Sequence, residues 1–276
     1  MHLSADAIAA YRHDGFYFPI RVFSAARAQH YRYCLERHEA SAGGPIGGNT
    51  RHKVHLLFTW AAELIREPAI LDAVESLIGP DIVCWTTNFF IKPANDPSFV
   101  SWHQDSTYWG LDPVDDVVTA WVALSDAPVA SGAMRFIPGS QRRGQIAHVD
   151  TFHEHNLLTR GQELAVQVDE RLAVDVPLHA GEMSLHHIRL IHGSKPNTTE
   201  NRRIGLAIRY IPTSVRQVKV RDSATLVRGV DRYDHFDWEP APTADLDPAA
   251  LAAHRDALAR QVAALYEGTD KTEMRR

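Results

Sequence analysis

The spacing of apolar positions changes character near residue 81. Before it, apolar residues mostly recur at helical intervals; after it, they fall in short blocks or alternate with polar ones. Ser4 is an N-cap residue, so 5–12 reads as a short helix stopped near Gly15. The aromatic and apolar run 16–20 reads as a strand, and 24–40 as a second helix. The glycine-rich 43–48 is a loop, and 53–58 fits either a strand or the start of a helix. A helix or helix pair over 60–78 is broken by Pro68 and ended by Gly79-Pro80.

From there the pattern predicts strands. The blocks are 82–91, 117–124, 133–137 closed by Pro138-Gly139-Ser140, 173–177, 181–188 and 189–192 around a bend, 204–211, and a further one at 215–220. The stretch 147–161 reads as a loop, 222–247 as irregular and acidic, 248–265 as a terminal helix and 267–276 as a polar tail. Many short strands separated by turns imply a sandwich or barrel. The expected organisation is one domain over 1–276, with helical elements in about 1–80, a β core in about 81–220 and a C-terminal extension with its helix in 221–276.

Composition narrows the function classes. With 276 residues, 45% hydrophobic and 23% charged, the chain can bury a sizeable core without staples. A net charge of −5 argues against nucleic acid or an anionic membrane as partner. The 2 cysteines, Cys34 and Cys84, cannot make a disulfide framework or a cysteine-rich zinc site. No signal peptide and no apolar run of membrane-spanning length is visible, so a soluble cytoplasmic protein acting on a small molecule is expected, its oligomeric state open.

The chemistry concentrates in Trp102-His-Gln-Asp-Ser-Thr-Tyr-Trp-Gly-Leu111. His103 and Asp105 lie two apart, which on a strand sends an imidazole and a carboxylate to one face. With His192 as third ligand they would form the two-His, one-carboxylate facial triad of non-haem Fe(II) oxygenases. An isolated His-x-Asp says little on its own; the residues after His192 strengthen it. Ser194 comes two residues later and Arg203 eleven later, at the head of a strand whose alternate face is Gly205, Ala207 and Arg209. An arginine followed by two small residues leaves room for a ligand, and a guanidinium fork suits a carboxylate. Trp102, Tyr108 and Trp109 flank the metal pair and offer either an aromatic cage for a cation or loop packing. Arg209 is placed to meet either an acidic substrate group or a structural partner.

These residues resemble the phytanoyl-CoA dioxygenase family of Fe(II)/2-oxoglutarate oxygenases. The resemblance covers about 4–212, through the opening YRHDGFYFPIRVFS and the blocks KVHLLF, NFFIKP, TAWVAL, SGAMRFIPGS, GEMSLHH and IHGS in order. It implies a mainly β fold with added helices, the double-stranded β-helix or cupin-like jelly-roll barrel. It further implies iron at His103, Asp105 and His192, and a hydroxylase that consumes O2 and 2-oxoglutarate and releases succinate and CO2. Arg203 and Ser194 would hold the distal carboxylate of 2-oxoglutarate, with Trp121 lining that pocket and Lys53 and Asn88 touching the co-substrate. Gln141 stands after PGS where the family often has histidine. Related halogenases replace the metal carboxylate by a small residue; Asp105 is present here, so hydroxylation or another oxidation is implied. A zinc-binding or non-catalytic jelly roll and a metal-dependent isomerase or lyase stay open as other classes. Arg209 at one end and Trp102, Tyr108 and Trp109 at the other suit a small zwitterion, an amino or trimethylammonio acid or phosphonate. No long basic patch suits a coenzyme A nucleotide, although an acyl-CoA or natural-product hydroxylase is the alternative within the family.

Overall fold

The computed structural model describes residues 2–270 and 274. Its helices are α1 (Ala5–Asp14), α2 (Ala25–Ala42), α3 (Thr59–Leu64), α4 (Pro68–Ile78) and α5 (Pro248–Leu265). Ser4, Ser24 and Asp247 cap α1, α2 and α5 by accepting from backbone N–H groups of the first turn. Gly15 closes α1 in the left-handed region, at φ 85°. There the Gln141 side chain donates to the Arg12 and His13 carbonyls, each at 3.3 Å, so this departure from the family pattern clamps α1 to the β core.

The strands are β1 (Phe16–Arg21), β2 (Ile82–Lys92), β3 (Val100–His103), β4 (Leu111–Asp112), β5 (Val118–Ala123), β6 (Met134–Phe136), β7 (His148–Asp150) and β8 (Gln162–Leu164), then β9 (Val174–Val176), β10 (Glu182–His187), β11 (His192–Ser194), β12 (Arg203–Pro212), β13 (Arg216–Gln217), β14 (Ser223–Arg228) and β15 (Asp237–Trp238). A seven-stranded sheet runs β1-β10-β5-β12-β2-β14-β15, and a four-stranded sheet runs β3-β11-β6-β9. Together they form the jelly-roll, double-stranded β-helix.

β12 shows how alternation builds both the core and the cavity. Ile204, Leu206, Ile208 and Tyr210 point away from the cavity into the main apolar core, with Ile70, Leu71 and Val74 of α4. Each large aliphatic side chain so buried contributes about 1.5–3 kcal/mol. Tyr210 donates its hydroxyl to the Ile65 carbonyl at 2.9 Å, so its one polar atom is satisfied. The opposite face, Arg203, Gly205, Ala207 and Arg209, pairs in register with Lys92, Phe90, Asn88 and Thr86 of β2. On the other side Gly205, Ala207 and Arg209 pair with Ala123, Trp121 and Thr119 of β5.

Five stretches depart from the sequence reading; one is 189–192, which is turn and coil until β11 begins at His192. Residues 53–58 are neither strand nor α-helix: Lys53 takes a left-handed φ of 44° and Val54–Leu56 is a 3-10 turn leading into α3. The stretch 147–161 begins with β7, which pairs with β8 in a hairpin. Only Arg216–Gln217 of 215–220 is a strand, pairing with β4. In 222–247, β14 joins the large sheet beside β2, so the sheet continues past 220 into the expected extension. Residues 271–273, 275 and 276 of the polar tail lie outside the described residues.

Candidate metal centre and its two cavities

His103 ends β3 and His192 begins β11, and the two are register partners across the small sheet. Their rings lie 4.0 Å apart, centroid to centroid. Asp105 does not continue the strand. The chain turns into a 3-10 turn at Asp105, whose backbone N–H donates to the Ile188 carbonyl at 3.0 Å. The Gln104 amide braces the turn, donating to the Gly144 and Arg189 carbonyls at 2.8 Å each. Convergence of His103 and Asp105 therefore comes from this braced turn, not from strand alternation.

The donor atoms of His103, Asp105 and His192 lie within 4.8 Å of one another, and all three residues are buried. His103 Nδ1 donates to the Ser101 carbonyl and His192 Nδ1 to the Leu190 carbonyl, both at 2.9 Å. Those two bonds fix the tautomers and leave both Nε2 lone pairs facing inward. His103 Nε2 is 3.3 Å and His192 Nε2 is 3.9 Å from Asp105 Oδ1. Burial pushes His192 well below the ordinary histidine range, so its imidazole is neutral. Burial opposes ionisation of Asp105, but Arg209 and the two imidazoles more than offset it and hold the carboxyl well below its ordinary range. Asp105 Oδ2 faces Arg209 Nη2 at 3.7 Å and the Thr119 hydroxyl at 3.5 Å. Two imidazoles and one carboxylate, oriented by their outer hydrogen bonds, fit a divalent iron with positions left for other ligands.

His186 stands close by. Its ring centroid is 4.9 Å from that of His192, and neither ring nitrogen has a partner. Burial pulls it down to about 3, so it is neutral.

One cavity opens from the metal side toward the β12 arginine. It is lined by Trp121, His186, Ser194, Arg203 and Ala207 together with the triad. Arg203 is 1% exposed and donates through Nη1 to the Gly132 carbonyl, while its Nε has no partner. Its guanidinium lies 5.2 Å over the Trp121 ring. A Cβ on Gly205 would come within 1.8 Å of the Trp121 indole, so glycine there is what lets the tryptophan lie flat against β12. Lys92, the register partner of Arg203, is fully buried and donates to Ser194 Oγ at 2.7 Å and to the Lys195 carbonyl. Burial, reinforced by Arg203, pulls Lys92 down to about 6; burial pulls Arg203 down to about 10. A buried guanidinium beside a buried lysine that an anion would protonate, with no carboxylate in hydrogen-bond contact, suits an anionic ligand.

Lys92, which holds Ser194 from behind the cavity wall, is a residue that the sequence reading missed. Lys53, expected to touch the co-substrate, does not reach the cavity. Its ammonium donates to the Trp85 and Ser223 carbonyls at 2.9 Å each and to Glu239, which also contacts His55 Nε2 at 3.0 Å. The signal for Lys92 was its place two residues beyond Phe90 and four beyond Asn88, on the same strand face as both. Asn88 lines a second cavity rather than the first.

That second cavity meets the first at Phe90, Asp105 and Arg209, and extends past Trp85 and Trp109 to Gln261 and Leu265 of α5. Of the three aromatics expected near a cationic substrate, only Trp109 lines it. Trp102 faces away from the metal, under Arg135 at 5.2 Å, and donates to Glu170. Tyr108 donates to Asp150 at 2.6 Å and lies under Arg160 at 3.9 Å. Trp109 itself lies under Arg209 at 5.2 Å. Each ring already has a guanidinium of the protein over a face, which favours the packing reading over a free aromatic cage.

Two packed sheets with a His-Asp-His triad between them define the class, the double-stranded β-helix of the Fe(II)/2-oxoglutarate oxygenases. Within it the chain belongs to the phytanoyl-CoA dioxygenase (PhyH) family, whose model matches residues 3–205. It is similar to a solved structure titled "non-heme monooxygenase; ThoJ apo", with 39% identity and a TM-score of 0.83, covering 93% of this chain and 96% of that one. It is 31% identical over 161 residues to the "Probable alpha-ketoglutarate-dependent hypophosphite dioxygenase" of Stutzerimonas stutzeri, covering 56% of this chain and 54% of that protein. With the L-proline trans-4-hydroxylase of Streptomyces griseoviridis it shares 27% over 175 residues, 58% of this chain and 65% of that protein. The matches thus span about half to two thirds of the length of these two curated relatives. Among the described residues no helix is long and apolar enough to cross a membrane.

Proposed function

We propose that the protein is an Fe(II)/2-oxoglutarate-dependent dioxygenase that hydroxylates a C–H bond of a small acidic molecule. The observation that carries the reading is the pair of tautomer-fixing bonds, which turn both imidazole Nε2 atoms toward the Asp105 carboxylate. In this reading His103, Asp105 and His192 hold the iron. Arg203, with Ser194 oriented by Lys92, binds the distal carboxylate of 2-oxoglutarate, and Trp121 walls that pocket. Bound iron with 2-oxoglutarate supplies the oxidising power, O2 and 2-oxoglutarate being converted to succinate and CO2. The chain's own residues place the reactants and keep water out.

Burial of the triad and of Arg203 supports a dry site. A non-catalytic zinc protein would leave Lys92 and Arg203 with no anion to bind. For the substrate, Arg209 bridges the two cavities and carries two N–H groups without partners, which favours an acid. The hypophosphite and proline named for the two relatives are likewise small and polar. Trp102, Tyr108 and Trp109 each already carry a guanidinium of the protein over the ring, which disfavours them as a seat for the ammonium end of a zwitterion. The test is succinate release from 2-oxoglutarate with Fe(II) and O2, screened against small carboxylic and phosphonic acids and against acyl-CoA thioesters. Stimulation by small acids is expected; stimulation by acyl-CoA alone would refute the substrate reading, and no succinate under any condition would refute the activity.

A further inference from the structure

The second cavity reaches beyond the segment that the family model matches. Its far wall is α5, in 248–265, outside 3–205. Gln261 of α5 is 6% exposed and lines this cavity. The Thr86 hydroxyl donates to Gln261 Oε1 at 3.1 Å, which fixes the amide. The Gln261 amide nitrogen is then left buried without a hydrogen-bond partner. A buried donor in that state is costly unless a ligand satisfies it.

The register brings a second set of donors to the same patch. Thr86 is the cross-strand partner of Arg209, so their side chains leave one face of the sheet side by side. Arg209 is 4% exposed, and its Nε and Nη1 have no partners. Asp105 is the sole carboxylate among the residues lining this cavity, and the metal site claims it. Leu157, Leu158 and Leu265 supply an apolar wall.

We propose that Gln261 and Arg209 together form an oxyanion-binding subsite for the substrate's carboxylate or phosphonate, so that the C-terminal helix sets acid selectivity. The inference rests on the oxygenase reading for what happens next to the bound molecule, but the binding itself does not. An acid held there by Arg209, whose Nη2 lies 3.7 Å from Asp105, places the adjoining carbons beside the metal centre. Turnover requires C–H groups near the iron, and this geometry selects positions close to the acid group for oxidation.

The test uses the anaerobic protein loaded with Fe(II) and 2-oxoglutarate, with calorimetry as readout. The probes are butanoate and propylphosphonate, compared with butanamide and 1-butanol. The wild-type protein is expected to bind the two acids at least tenfold more tightly than the neutral pair. Gln261→Leu should weaken the acids about tenfold or more, and Gln261→Glu about a hundredfold, with the neutral probes unchanged within threefold. Affinity for 2-oxoglutarate, bound at the other cavity, is the control for folding; Thr86→Val, which frees the amide to rotate, should give a smaller loss in the same direction. Equal binding of acids and neutral probes by the wild type, or equal acid binding by wild type and Gln261→Glu, overturns the proposal. Failure of the oxygenase reading would show separately, as absent succinate in air despite selective acid binding without it.

Discussion

Replacing Arg203 by alanine tests the co-substrate site quantitatively. A carboxylate seated on its free donors would gain two charge-assisted hydrogen bonds, about 1.5–3 kcal/mol each, so about 3–6 kcal/mol gross. One effect reduces the net loss. Lys92, held near 6 by burial and by the neighbouring Arg203, gains charge once that neighbour is gone, and it sits 2.7 Å from Ser194 Oγ. That recovers about 1 kcal/mol, roughly the worth of one pKa unit. The expected net loss is therefore about 2–5 kcal/mol, or roughly thirty- to five-thousandfold in the 2-oxoglutarate dissociation constant. Anaerobic calorimetry on Fe(II)-loaded protein measures it, with the iron content of the variant measured alongside. A change under threefold, or loss of iron together with 2-oxoglutarate, would refute the assignment and return the role to another cation.

Three further outcomes are expected. Binding of 2-oxoglutarate should take up a proton, because Lys92 lies near 6 in the free protein and a nearby carboxylate raises it. Affinity should then be greatest below about pH 6 and fall by up to about tenfold per unit as pH rises toward the bound value. Calorimetry in buffers of different ionisation enthalpy reads the uptake, and Lys92→Met should abolish it; an unchanged uptake in that variant would sink the idea. Glu239, whose side chain is 3% exposed between Lys53 and His55, opposes its own burial through Lys53 and stays well below the ordinary carboxyl range. Its stabilisation is present above the ordinary glutamate pKa and is lost as pH falls through the lowered folded value. Breaking this buried pair with Lys53→Met should cost about 3–5 kcal/mol of stability, seen as a lower Tm, while the 2-oxoglutarate constant stays within twofold. A weakened constant at unchanged Tm would restore Lys53 to the co-substrate site. Gly205→Ala drives a methyl into the Trp121 indole and should cost about 1–3 kcal/mol of stability with weaker 2-oxoglutarate binding, followed by thermal melts and calorimetry; unchanged values for both would refute the tight packing.

The periodicity of β12 was legible in the sequence because its two faces have different chemistry. One is apolar throughout, and the other carries two small residues between arginines. The helix boundaries at Ser4, Gly15, Ser24 and Pro68 were legible for the same reason: each signal acts within one turn. What the sequence hid was long-range. Nothing local distinguishes Lys53 from Lys92; the difference is that Glu239, 186 residues away, pairs with Lys53. The aromatic faces of Trp102, Tyr108 and Trp109 looked free because Arg135, Arg160 and Arg209 meet them only through the fold. β14 was missed because Ser223–Arg228 is mixed in polarity, and its pairing with β2 supplies what its own pattern lacks.

If His103, Asp105 and His192 hold an iron at which O2 and 2-oxoglutarate react, one oxygen atom of the succinate comes from O2. The most direct measurement is succinate formed from unlabelled 2-oxoglutarate under ¹⁸O₂, in wild type, His192→Ala and His186→Ala, each with its bound iron counted. One ¹⁸O atom in wild-type succinate and one iron per chain are expected, with near-complete loss of both in His192→Ala and a milder effect in His186→Ala. Succinate without label, or labelled succinate and full iron retained in His192→Ala, would contradict that assignment.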